Sequence, residues 1–82
     1  MNATELEAAV RRALAEIAPD TDAANVDRDA EFHDDLGLDS MDTLNFAIAI
    51  HESTGVDIPE VDYAEITSIA TCVSYLDAHG GG

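Results

Sequence analysis

Apolar residues recur at three- and four-residue intervals in three separate stretches of this chain, and no stretch alternates as a β-strand does. Helices are therefore the regular structure the chain can build. In the first stretch, Leu6, Val10, Leu14 and Ile17 share one face, with Ala9 and Ala13 beside them. Thr4 and Glu7 have the spacing of a capping box. Pro19 stops the helix and pushes Ala18 out of helical geometry, so the spacing predicts a helix from Thr4 to Ile17. A second helix is expected over Ser40 to Ser53, with Asp39 as its N-cap, Asp42 near the positive end of its dipole and Gly55 as its C-cap. A third is expected behind Thr67 or Ser68, with Ile69, Cys72, Val73 and Leu76 on one face, fading near Ala78. Val56 to Pro59 reads as extended, and Glu60 to Glu65 as one short helical turn. The expected fold class is all-α: an irregular four-helix bundle of three main helices plus one short helix, with a long first loop. One domain over residues 1–79 and a glycine tail at 80–82 account for the 82 residues.

The long loop, Asp20 to Asp39, is anchored by Val26, Phe32, Leu36 and Leu38, and Gly37 suits a turn with positive φ. Connections of this length inside a small domain are often functional. The second helix is unusual in another way. Phe46, Ala49 and Ile50 form one apolar stripe; Met41, Leu44 and Ile48 form another, and polar Asp42, Asn45 and Glu52 separate them. A helix packed on one side needs only one stripe. The second implies a docking face, since the charged strip argues against full burial.

Charge supports this. Asp and Glu outnumber Lys and Arg 18 to 3, giving a formal net charge of -15. Arg11, Arg12 and Arg28 all lie in the first third, and twelve acids follow with no Lys or Arg among them. Such a field steers basic partners. It disfavours nucleic acid and anionic membranes, and self-association too, so a monomer is expected. There is no apolar run of membrane-spanning length, and Met1 to Glu5 has no leader character. One Cys excludes an internal disulfide framework and suits the reducing cytoplasm. With aromatics at 5% and no Trp, the core is expected to be aliphatic, with Cys72 a small member of it.

The chain offers little to catalysis. Ser40, His33 and His51 lack the setting of a triad, and a bundle this small has little room for a substrate pocket with an oxyanion hole. His33, His51, Cys72 and His79 lack zinc-site spacing, and a calcium loop counted from Asp27 fails at Phe32 and Leu38. No catalytic residue and no metal site are expected. What remains is Asp39-Ser40-Met41, an accessible serine at a helix start behind a glycine-containing loop. Free amides there favour an attached phosphate. Ser40 has no base of its own, so its modification requires a second enzyme.

Gly37-Leu38-Asp39-Ser40-Met41-Asp42-Thr43-Leu44 resembles the attachment site of acyl carrier proteins. The resemblance continues through Ile58-Pro59 and Ile66-Thr67-Ser68-Ile69 to Tyr75-Leu76, and the first helix and acidic loop match in length. It implies that Ser40, beside Asp39, receives 4′-phosphopantetheine from coenzyme A through a Mg-dependent synthase. It also implies that the arm's thiol carries acyl groups as thioesters to partner enzymes of fatty-acid, polyketide or related biosynthesis. Basic patches on those enzymes are then expected to meet Asp39, Asp42 and Glu52, with apolar contacts from Met41, Leu44 and Ile48. Asn45 and His51 stand where many fatty-acid carriers have Glu, and Thr54 replaces a common aromatic, which points to a specialised member. An aminoacyl carrier of the same fold, or an acidic interaction module without the arm, are the alternatives.

Overall fold

A computed structural model describes residues 1–80. It contains three α-helices, α1 (Ala3–Ile17), α2 (Ser40–Thr54) and α3 (Ile69–Ala78), a one-turn 3₁₀ helix at Ala23–Asn25 and a longer one at Glu60–Glu65. No strand occurs among the described residues, and the expected all-α bundle is what forms. The expected tail lies, beyond Gly80, outside the described residues.

Local signals place most boundaries. Ser68 caps α3 by accepting from Thr71 N, while the Thr71 hydroxyl oxygen accepts from Ser68 N. Gly55 ends α2 at φ 76°, a left-handed conformation that costs glycine little. Ala18, ahead of Pro19, sits at φ -136° and ψ 71°, outside the helix. The start of α1 needs a correction: the cap is Asn2, whose side chain accepts from Glu5 N while Glu5 accepts from Asn2 N. Asn2/Glu5 and Thr4/Glu7 have the same spacing. Glu7 is not free to turn back, because its carboxylate binds Arg11 and Arg28.

α1 is the element on which both α2 and α3 pack. Leu6, Val10, Leu14, Ile50, Ile66, Ile69, Cys72 and Leu76 are fully buried in one cluster. It is aliphatic except where Phe32, from the long loop, meets Phe46 edge-to-face at 5.2 Å and 68°, and where Tyr75 is buried. The expectation of an aliphatic core therefore holds for the face of α1, whereas α2 contributes Phe46 and α3 contributes Tyr75. Val56 and Ile58 plug the same core from the extended connection.

The long loop is tied down by α1. Arg11 donates from Nη1 to the carbonyls of Ala23 (2.9 Å) and Val26 (2.8 Å), and pairs with Glu7 at 3.1 Å. Arg28 reaches back to Glu7 at 2.7 Å. Burial raises the Glu7 pKa, but the two guanidiniums outweigh it and hold the carboxyl below its usual 4.5. Glu7 thus stabilises the fold above that range, and its share is lost as pH falls through the lowered value. Arg11→Ala removes two charge-assisted hydrogen bonds and a half-buried ion pair. The expected loss is about 1.5–3 kcal/mol, read as a lower urea midpoint. Arg11→Lys is expected to recover only part, because an ammonium lacks the planar fork.

The longer 3₁₀ helix is tied to α3 by a single polar contact, Tyr75 OH donating to Asp62 Oδ2 at 2.7 Å. That bond, then burial, then the charges of Asp62, Glu65 and Asp57 push the Tyr75 phenol from 10.0 up to about 12. Burial alone pushes the Cys72 thiol from 9.0 to about 12. Both are neutral forms favoured by folding. Their contribution is complete below the unfolded values and is lost as pH rises through about 12. Urea midpoints are therefore expected to fall as pH climbs past 9 to 10, the ordinary values of these groups. Tyr75→Phe flattens part of that slope, leaving the share of Cys72. An unchanged slope in Tyr75→Phe overturns this assignment.

Candidate functional site

The site begins with a turn that closes on itself. Phe32 N donates to Thr67 O at 2.8 Å, which anchors the loop beside α3. Leu38 N returns to Phe32 O at 2.9 Å, with Gly37 between them at φ 72°. His33 Nδ1 lies 2.9 Å from Leu38 O. The Leu38 peptide is thus held on both sides, and Leu38 itself is buried. The next residue, Asp39, is extended at ψ -174° and caps α2. Asp42 N donates to Asp39 Oδ1 at 2.9 Å, and Asp39 N donates to Asp42 Oδ2 at 3.1 Å.

Ser40 is consequently the first helical residue, exposed and fixed in direction by the clamped turn before it and the capping box around it. The first intrahelical bond in this turn runs from Thr43 N to Asp39 O, so the amides of Ser40 and Met41 lie ahead of the ladder. Ser40 lines a groove of about 610 Å³ between α2 and the longer 3₁₀ helix. Leu38, Met41, Leu44, Tyr63 and Ala64 supply its apolar wall, and His33, Asp39, Thr43 and Glu60 join Ser40 as its polar residues. A second groove of about 240 Å³ lies further along α2, and Tyr63 lines both.

The two stripes of α2 separate as expected. Phe46 and Ile50 are 1% and 0% exposed, whereas Met41, Leu44 and Ile48 are 63%, 41% and 49% exposed. Asn45, His51 and Glu52 are exposed as well, and His51 lies 3.6 Å from Asp57. Thr54 donates to Ile50 O at 2.8 Å and accepts from Val56 N, closing the last turn with a hydroxyl. Asp39, Ser40, Met41, Asp42 and Leu44 cluster at the opening of α2; Ile48 and Glu52 continue along the helix. Arg11 and Arg28 are engaged with Glu7 on α1, and among the described residues no arginine pairs with Asp39, Asp42 or Glu52. The periodicity gave no hint of Glu60, Tyr63 and Ala64, which reach the groove only through tertiary packing. His33 was visible in the sequence, but its tie to Leu38 depends on the turn.

No group of three or more His, Cys, Asp or Glu is placed to hold a metal ion among the described residues. No helix among them is long and apolar enough to cross a membrane.

An all-α domain that offers one exposed serine at a helix start, beside an apolar groove and an anionic face, is built to present an attached group. A family model described as the phosphopantetheine attachment site matches residues 8–76. The chain belongs to that family: it is a phosphopantetheine-carrying domain of the acyl carrier protein type, a carrier and not a catalyst. The residues present fit the group. A serine hydroxyl faces solvent for esterification, and the groove beside it has the apolar lining that a pantetheine chain can lie along. When attached, the arm supplies a thiol on which cargo rides as a thioester.

Proposed function

We propose that Ser40 is the residue that carries 4′-phosphopantetheine, and that the protein presents acyl or similar intermediates to partner enzymes of fatty-acid, polyketide or related biosynthesis in the cytoplasm. The single observation behind this reading is the exposure of Ser40 at the first position of α2, where it is held by Asp39 and lines the groove. The chain's own residues have four tasks. Asp39 and Asp42 fix the helix start, so that the hydroxyl meets a synthase in one orientation. Leu38, Met41 and Leu44 line the way out along the groove. Met41, Leu44 and Ile48 offer apolar contact to a partner, while Asp39, Asp42 and Glu52 draw its basic patch. Ser40 contributes only its oxygen; the base and Mg belong to the synthase. Asn45 and His51 remove two acids from the docking face, which favours a dedicated partner over a general fatty-acid enzyme, and the net charge favours a monomer. Incubation with coenzyme A and a broad-specificity phosphopantetheinyl transferase, followed by intact mass, tests the reading: one arm is expected per chain, at Ser40. An unmodified chain leaves only an acidic interaction module.

A further inference from the structure

We propose that Tyr63 sets the length of acyl cargo that this domain can shelter, its ring standing as the partition between two grooves that follow one another along α2. The proposal rests on Ser40 as the attachment residue. Ser40, Met41 and Leu44 line the first groove, of about 610 Å³, and Ala47, Ile48 and His51 line the second, of about 240 Å³. Leu44 and Ile48 are one turn apart on the exposed stripe, so both grooves run along the same side of the helix. The facing wall runs the other way in sequence, from Ala64 and Glu60 beside the first groove to Ile58 and Asp57 beside the second. Among the described residues Tyr63 alone lines both. Its place is fixed from two directions. Tyr63 packs against the core cluster, and the 3₁₀ helix that carries it is tied to α3 through the neighbouring Asp62, which accepts from Tyr75 OH at 2.7 Å. The grooves differ in chemistry. The arm, with its two amide groups, suits the larger first groove, where Thr43 and Glu60 offer polar partners. The far end of an acyl chain has no polar group and suits the second, where Ala47, Ile48 and Ile58 are apolar. To pass from one to the other the chain has to cross Tyr63. Short chains are therefore sheltered in full, and the added carbons of longer ones stay in water.

Sheltered methylenes stabilise the folded state and exposed ones do not, so the urea midpoint reports how much of a chain is covered. Straight acyl groups of increasing length, loaded from their coenzyme A thioesters by a broad-specificity transferase, give the series. In the wild type the midpoint is expected to rise with chain length, on the order of 0.5 M urea for each two methylenes covered, and then to level off. Tyr63→Ala is expected to carry the rise several carbons further, as the two grooves join. Tyr63→Phe keeps the ring and is expected to level off where the wild type does. Each variant is compared with its own uncharged holo form, and Tyr63→Leu, which keeps apolar contact with the core, replaces Tyr63→Ala if that variant does not fold. A wild-type midpoint that stays flat, or that climbs without a break through the longest chain, overturns the proposal without any variant. So does a plateau at the same length in wild type and Tyr63→Ala or Tyr63→Leu. Failure of the wild type to load is a separate result. It removes the carrier reading and this proposal together, whereas a loaded chain without the plateau removes this proposal alone.

Discussion

Ser40→Ala will gain no mass from coenzyme A and a phosphopantetheinyl transferase under conditions that load the wild type completely, and it will be as stable as the wild type. The two halves of this result belong together. The Ser40 side chain is exposed and makes no hydrogen bond among the described residues, because the helix start is capped by Asp39 and Asp42. Alanine is a good helix former at an exposed position, so the change in stability should stay within about 0.5 kcal/mol. Loss of loading is then loss of the accepting oxygen and not loss of the fold. Matching circular dichroism and urea midpoints establish the second half. Full loading of Ser40→Ala would place the arm on another hydroxyl; Thr43, whose Oγ1 donates to Asp39 O at 3.1 Å, is the nearest in sequence.

Phe46→Ala is expected to do the reverse and remove the fold while leaving every site residue in place. Phe46 is 1% exposed, and it joins α2 to the long loop through Phe32. Truncating a buried Phe costs about 3–5 kcal/mol through lost transfer energy and the cavity left behind. A domain of this length holds roughly 4–12 kcal/mol in all, and self-repulsion among its acids places it towards the low end. The variant should be largely unfolded at 37 °C, with a urea midpoint reduced by a third or more. Its loading by a transferase should fall as well, because the helix start that orients Ser40 depends on α2 being docked. A cooperative melt at the wild-type temperature would show that the Phe32–Phe46 contact matters far less than its burial indicates.

The local parts of this protein were legible because their causes span three or four residues. A capping box needs Asp39 and Asp42 and nothing else, so the start of α2, and with it the place of Ser40, follows from the chain alone. Gly55 as C-cap, Ala18 before Pro19 and the two stripes of α2 are of the same kind. Where two local signals compete, the sequence is silent. Asn2/Glu5 and Thr4/Glu7 are equivalent as boxes, and the choice fell to Asn2 because Glu7 is bound by Arg28 from 21 residues away.

The residue types and their spacing determined an all-helical domain, a serine at a helix start, and an anionic second helix with one apolar face to spare. Tertiary structure alone decided that Phe32 crosses from the loop to meet Phe46, that Arg11 holds the loop carbonyls, and that Tyr75 grips Asp62 across 13 residues. It alone brought Glu60, Tyr63 and Ala64 opposite Ser40 to make a groove. Caps and periodic faces are short-range and repeat in any chain that carries them, whereas these contacts form only once the loop has closed and α1 has chosen which faces to bury.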